Sequence, residues 1–220
     1  KKLLIILGAG SSVELGMPSV GKLNCLMLLW AARWAKQENR PNYYGKLWKT
    51  QQGHARNIPE DGWLAKDWAT PNYERCLGSL LDLLNAAQPP PWNTPFDQAF
   101  CPTIETDGNP LEQTTDTSRA IESQYACLVT KLAGHFREEC RKLKTEPPAS
   151  FNRYSAFFNK LGQEFEVGVY NLNHDTLALN ALPDLATGFD AKGIFRPALV
   201  HQRREWDFLY HLHGSVHFTY

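Results

Sequence analysis

Hydrophobic positions change their period several times along this chain, and each change marks an element. Leu3 to Leu7 is an unbroken apolar run, far too short to span a membrane and of strand length. It predicts a central strand covered on both faces. Gly8, Ala9 and Gly10 follow without a spacer. After Pro18, Leu23, Leu26, Met27, Trp30, Ala31 and Trp34 recur at steps of three and four, which predicts an amphipathic helix over 21–37 with Ser19 as its cap. From Asn39 to Asn72 the period fades, and Trp48, Trp63 and Trp68 read as anchors of an irregular insertion.

A helix resumes over 72–85, with Tyr73, Cys76, Leu77, Leu80, Leu81 and Leu84 assigned to one face. Ala87 to Thr117 carries Pro89, Pro90, Pro91, Pro95, Pro102 and Pro110 and predicts a long surface loop. Ser118 to Lys144 is the longest expected helix, through Ile121, Tyr125, Leu128, Leu132, Phe136 and Cys140; Pro147 and Pro148 end it. A further helix is expected over 150–163.

The period then shortens. Phe165 to Asn171 reads as a strand, and Asn173-His174-Asp175 leads into a short helix over 176–182 that Asp175 can cap. Short strands are expected at Ala198 to His201, Phe208 to Leu212 and Val216 to Tyr220. Strand, helices, strand, helix, strand is the order of an α/β fold. The expected architecture is a Rossmann-like, doubly wound parallel sheet forming one domain over 1–220, with a large helical insertion over roughly 22–164.

Composition narrows the functional classes. Lys+Arg and Asp+Glu both total 23, so no net field recruits nucleic acid or an anionic membrane. The five cysteines include no C-x-x-C pair, which argues for reduced, mostly buried thiols and against a zinc ribbon. His211 and His217 flank His213 at alternate positions, but no carboxylate or cysteine accompanies them, so no metal is expected. Lacking a leader or spanning segment in this reading, the chain is expected in the cytoplasm. Without an initiator Met and stopping in an expected strand, it reads as a segment of a longer protein.

Three polar clusters stand where strands should end: Gly8 to Ser12, Asn173 to Asp175 and His211 to Ser215. A parallel sheet would bring them to its carboxyl edge, where such folds bind ligands. Small residues at the first cluster would let backbone N–H groups approach a phosphate, and a helix starting just after it would turn its positive end to the same anion.

These clusters carry a resemblance. GAGSSVELGMP is similar to the glycine-rich opening of sirtuin-like domains, G-A-G-x-S-x-x-x-G-x-P, matching at Gly8, Ala9, Gly10, Ser12, Gly16 and Pro18. NLNHD resembles the family's Asn-x-Asp segment at Asn173 and Asp175, and HLHGS resembles its histidine-glycine pair at His213 and Gly214. Ser19, Val20 and Gly21 stand where protein-deacylating members carry Asp-Phe-Arg. The resemblance is therefore to the zinc-free branch of prokaryotic antiphage defence proteins, which hydrolyse NAD to ADP-ribose and nicotinamide. Asn72-Tyr73-Glu74 and Thr187-Gly188-Phe189 add to it.

The resemblance implies an NAD glycohydrolase that cleaves the nicotinamide–ribose bond. It implies His213 as the base, and Asn173 as the residue that bonds the ribose or positions the water. Gly8, Ala9 and Gly10 would face the pyrophosphate, Ser12 would donate to a phosphate, and Gly214 and Ser215 would complete the NAD site. Asp175 has two readings, helix cap and neighbour of the nicotinamide ribose. NAD is then the substrate, with a homo-oligomer or attached domains triggering turnover. The alternatives are a non-catalytic sensor of NAD or ADP-ribose and an NAD-dependent deacylase.

Overall fold

The structure, a computed structural model, describes residues 1–56, 70–86, 105–106, 109–110, 114–190, 194–202 and 205–212. In chain order the elements are β1 (Lys2–Leu7), α1 (Gly10–Val13), α2 (Val20–Glu38), α3 (Tyr43–Arg56) and α4 (Tyr73–Ala86). They continue with β2 (Glu105–Thr106), β3 (Asn109–Pro110), α5 (Thr115–Thr145), α6 (Ala149–Glu164), β4 (Glu166–Asn171), α7 (Leu177–Ala181), α8 (Pro197–His201) and β5 (Phe208–His211). The chain forms two compact units, Lys1–Ser19 with Ala133–Tyr220, and Val20–Leu132.

The first unit is α/β. Its sheet has the order β1-β4-β5, and both pairings are parallel. The register aligns Leu7 with Asn171 and Asn171 with His211, so the three strands end at one level. Two further backbone bonds, Leu172 N–H to the Leu7 carbonyl at 2.9 Å and Leu212 N–H to the Asn171 carbonyl at 3.0 Å, carry the ladder just past those ends. Leu7, Val167, Val169 and Leu209 form the core of this unit with Phe158 of α6 and Ala178 and Ala181 of α7. Each large apolar side chain buried there contributes about 1.5–3 kcal/mol.

The other sheet face differs from the expectation for Leu3 to Leu7. Leu4 and Ile6 are 45% and 65% exposed, and among the described strands β1 is an edge rather than a centre. The apolar run is therefore buried on one side only. On the same sheet, Gly168 of β4 lies under an aromatic group. A Cβ built there would stand 2.6 Å from Phe208 Cζ and 3.1 Å from Trp206 Nε1. Glycine is what lets Phe208, stacked on Tyr210 at 4.6 Å between centroids, lie across the strand.

The second unit is helical. Leu23, Met27, Ala31 and Trp34 of α2 are buried, as their spacing predicts, together with Tyr43, Tyr44 and Leu47 of α3 and Ile121 and Leu128 of α5. Gln124 is a buried polar tie: its Oε1 accepts the Tyr44 N–H at 2.9 Å, and its Nε2 donates to the Ala31 carbonyl and to Asn42 Oδ1. Such a group is tolerated because its hydrogen bonds are satisfied. On α4 the buried face is Tyr73, Cys76, Leu80 and Leu83, while Leu81, assigned to that face from sequence, is 40% exposed.

Two expected elements are corrected. The insertion over 39–72 contains α3, whose first turn is fixed by Asn42 Oδ1 accepting the Gly45 N–H at 2.9 Å; residues 57–69 lie outside the described part. Residues 198–201, expected as a strand, belong to α8, which begins with Pro197, a residue whose fixed φ suits a first helical turn. In the interval 87–117, residues 105–106 and 109–110 pair as a short antiparallel ladder and α5 starts at Thr115; residues 87–104 lie outside the described part. The strand expected at Val216 to Tyr220 also lies outside it.

Among the described residues no helix is long and apolar enough to cross a membrane. Cys25, Cys76, Cys127 and Cys140 are free thiols, of which Cys76 and Cys140 are buried and Cys25 is exposed.

Candidate functional site

Where β1 ends, the chain turns through Gly8 and Ala9 into α1, a single helical turn closed by Gly16 in the left-handed region (φ 102°). The turn is tied by Ser11 N–H to the Gly8 carbonyl at 2.9 Å and Met17 N–H to the Ser12 carbonyl at 3.1 Å. The helix expected to follow the glycines is thus four residues long, and the first long helix starts only at Val20. A Cβ built on Gly8 or on Gly10 meets nothing within 4 Å, and neither has a positive φ. Close packing inside the protein does not demand glycine at these positions.

Where β4 ends, Asn171 and Asn173 are both buried. Asn173 Nδ2 lies 3.0 Å from the Gly8 carbonyl oxygen, 3.1 Å from Ser11 Oγ and 2.9 Å from Ser12 Oγ, so its amide hydrogens are directed into the turn after β1. Its backbone N–H donates to Asn171 Oδ1 at 3.0 Å. No hydrogen bond from a described residue reaches its Oδ1, which leaves Asn173 offering an acceptor. The glycine cluster and the Asn-x-Asp cluster, separate in sequence, are one site.

Ser11 and Ser12 hold this arrangement from below. Ser11 Oγ donates its one hydrogen to the Gly8 carbonyl at 2.8 Å, and its lone pairs face Asn173 Nδ2 and the hydroxyl of Tyr154 on α6. The Ser12 hydroxyl is buried and bonds the Asp175 carboxylate, so in this arrangement its hydrogen is directed inward. Asp175 Oδ1 also accepts the Leu177 N–H at 2.9 Å, at the entry of α7. Asp175 is 2% exposed, and burial raises its pKa against the lowering effect of those hydrogen bonds. Asp175 thus satisfies the first N–H of α7 from the position before the N-cap residue Thr176, rather than as the cap itself; a contact with ribose would be additional.

His174 stands between the two site residues and packs its ring edge-on against Phe136, with centroids 5.9 Å apart. His211 ends β5, with its Nδ1 3.2 Å from the Asn173 carbonyl oxygen and 3.4 Å from Asn171 Nδ2. Burial lowers the His211 pKa, and nearby His174 lowers it further. The sequence-assigned residues His213, Gly214 and Ser215 lie outside the described residues.

Four residues of the site were not assigned a role at it from sequence: Ser11, Tyr154, Asn171 and His211. Two of them had a signal, since Asn171 ends its strand on a polar residue and His211 opens the polar cluster expected at the carboxyl edge of the sheet. Among the described residues no group of three or more His, Cys, Asp or Glu is arranged to hold a metal.

A cleft of about 550 Å³ opens at the opposite end of the sheet, lined in part by Lys1, Glu166 and Asp207. It is remote from the strand ends that carry these polar clusters. No protein-family model matches this chain, and no curated protein matches it.

Proposed function

We propose that the site at the carboxyl ends of β1 and β4 binds NAD and hydrolyses its nicotinamide–ribose bond, as the resemblance to zinc-free sirtuin-like domains implies. The observation that carries the reading is the hydrogen bonding of Asn173 Nδ2 to Gly8, Ser11 and Ser12. It joins two of the three family-like clusters at a parallel sheet edge, in keeping with a Rossmann-like, doubly wound sheet that binds a dinucleotide there. Open space above Gly8 and Gly10 supports the same reading, because a diphosphate approaches bare backbone most closely where no Cβ intervenes.

The chemistry follows from what each residue can offer. Cleavage builds oxocarbenium character on the ribose, so the protein must hold the sugar and deliver water to C1′ as nicotinamide leaves. Asn173 has its amide hydrogens directed into the turn and its Oδ1 available. It therefore accepts a hydrogen bond, from a ribose hydroxyl or from the attacking water. His213 is proposed as the base that takes the water's proton, since a histidine titrates near neutrality. Gly8, Ala9 and Gly10 border the pyrophosphate, and the resemblance adds Gly214 and Ser215 as NAD-binding residues. Asp175 keeps the Asn173 segment in place through Ser12 and the Leu177 N–H. No metal takes part. The module is read as a cytoplasmic effector whose turnover depends on self-association or attached domains.

The test is to incubate the chain, together with any domains attached to it and at concentrations where it self-associates, with NAD and resolve the products by chromatography. Equimolar nicotinamide and ADP-ribose are expected. NAD that binds but stays intact would replace the hydrolase by a sensor, and neither binding nor cleavage would remove the NAD reading.

A further inference from the structure

Asn173 is held at more than its side chain. Its N–H goes to Asn171 Oδ1 at 3.0 Å, and its carbonyl oxygen faces His211 Nδ1 at 3.2 Å. Asn171 and His211 are paired in register as the last residues of adjacent strands, so two rigid strand ends grip the peptide groups on either side of one α-carbon. A carbonyl oxygen only accepts, so the contact at 3.2 Å is a hydrogen bond when the hydrogen of His211 is on Nδ1; with the hydrogen on Nε2, Nδ1 would instead accept from Asn171 Nδ2 at 3.4 Å. The shorter contact favours the first arrangement, in which the Asn173 carbonyl is the partner of Nδ1.

We propose that His211 is a positioning residue for Asn173: its Nδ1–H holds the Asn173 carbonyl and thereby aims Oδ1 at the ligand. The role differs from that of His213, which stands two residues further along and is proposed to move a proton. The effect on catalysis rests on the hydrolase reading above; the placement of Asn173 does not. Burial favours a neutral ring, and a neutral ring carries a single N–H, which makes the Nδ1–H tautomer the state that holds the loop.

Two substitutions separate position from chemistry. In His211→Asn the amide nitrogen can take the place of Nδ1 and keep the donor; in His211→Gln it takes the place of Nε2 and the donor to the carbonyl is lost. With NAD as substrate, His211→Gln is expected to lose about 100-fold in kcat with KM changed less than about threefold, because a misplacement of about 1 Å costs that much. His211→Asn is expected to recover most of that loss. Nitrogen-15 NMR of the full chain at neutral pH should show the His211 Nδ1–H tautomer. The Asn173 side-chain amide resonances should move in His211→Gln and stay near their wild-type positions in His211→Asn.

An Nε2–H tautomer, or Asn173 resonances unmoved in His211→Gln, overturns the proposal. So does a loss in His211→Asn as deep as in His211→Gln at equal thermal stability, which would make the ring itself the reacting group. If the wild-type chain cleaves no NAD, the hydrolase reading fails, while the tautomer and the Asn173 resonances still decide the placement.

Discussion

The side-chain nitrogen of Asn173 donates to the carbonyl oxygen of Gly8 at 3.0 Å, across a separation of 165 residues. That bond ties the turn after β1 to the turn after β4 at the edge where a parallel sheet presents its ligands. It also fixes which half of the Asn173 amide faces outward. Consequences for affinity, stability and pH response can be measured separately.

If Gly10 borders the pyrophosphate, it serves the ligand rather than the fold. A Cβ there meets nothing within 4 Å, and alanine restricts the unfolded chain more than glycine does, so the exchange costs the fold nothing. Gly10→Ala should leave the melting temperature unchanged or slightly higher and weaken NAD binding at least about tenfold by calorimetry. A drop in melting temperature with binding intact would give Gly10 a packing role.

Gly168 makes the opposite case. With Phe208 Cζ 2.6 Å from the position of a Cβ, Gly168→Ala must displace the Phe208–Tyr210 stack on β5. Overpacking of this kind costs about 1–3 kcal/mol, to be read from the urea midpoint. No loss of stability would mean that the stack yields freely.

Asp175 can be separated into acceptor and charge. Asp175→Ala removes the acceptor of the Leu177 N–H and the partner of Ser12, and should destabilise by about 1–3 kcal/mol. Asp175→Asn keeps an acceptor for Leu177 and relieves the buried charge, so it should cost less. Equal losses in both would show that the charge, and not the acceptor, holds the segment.

The lowered pKa of His211 gives stability a pH dependence with a definite sign. Burial, the first cause, makes the folded state bind this proton less readily than the unfolded state, whose value is near 6.5. The stability held above that value is lost as pH falls through the window between it and the lowered folded value. Asp175, raised by burial, acts in the opposite sense, because the folded state binds its proton more readily. On going from pH 7 toward pH 5 the denaturation midpoint should therefore fall further in the wild-type chain than in His211→Asn. An equal fall in both chains would assign the dependence to other groups.

The ends of elements were more legible in sequence than their neighbours in space. Apolar runs closed by polar clusters located β1, β4 and β5 and brought Gly8, Asn173 and Asp175 forward as site residues, because a strand end is a local feature. The α3 helix was hidden because Tyr43, Tyr44 and Leu47 are followed by the polar stretch Lys49 to Gln52, which dilutes the period. Residues 198–201 read as a strand because the three-residue apolar run Ala198 to Val200 carries no period of its own, and only Pro197 marks its helical start. Asn171 and His211 stood at legible strand ends, but their pairing side by side came only from the register, a relationship across 40 residues that no local pattern encodes. The open face at Leu4 and Ile6 was likewise invisible, since an apolar run states that burial is available and not whether both sides receive it.

The most direct test of the account is the rate of nicotinamide release from NAD by the wild-type chain and by Asn173→Ala, with KM measured for each. Removing the amide should lower kcat by about 100-fold or more, as the loss of a substrate-positioning group does. Release by Asn173→Ala at the wild-type rate would contradict the assignment of this residue, and with it the site.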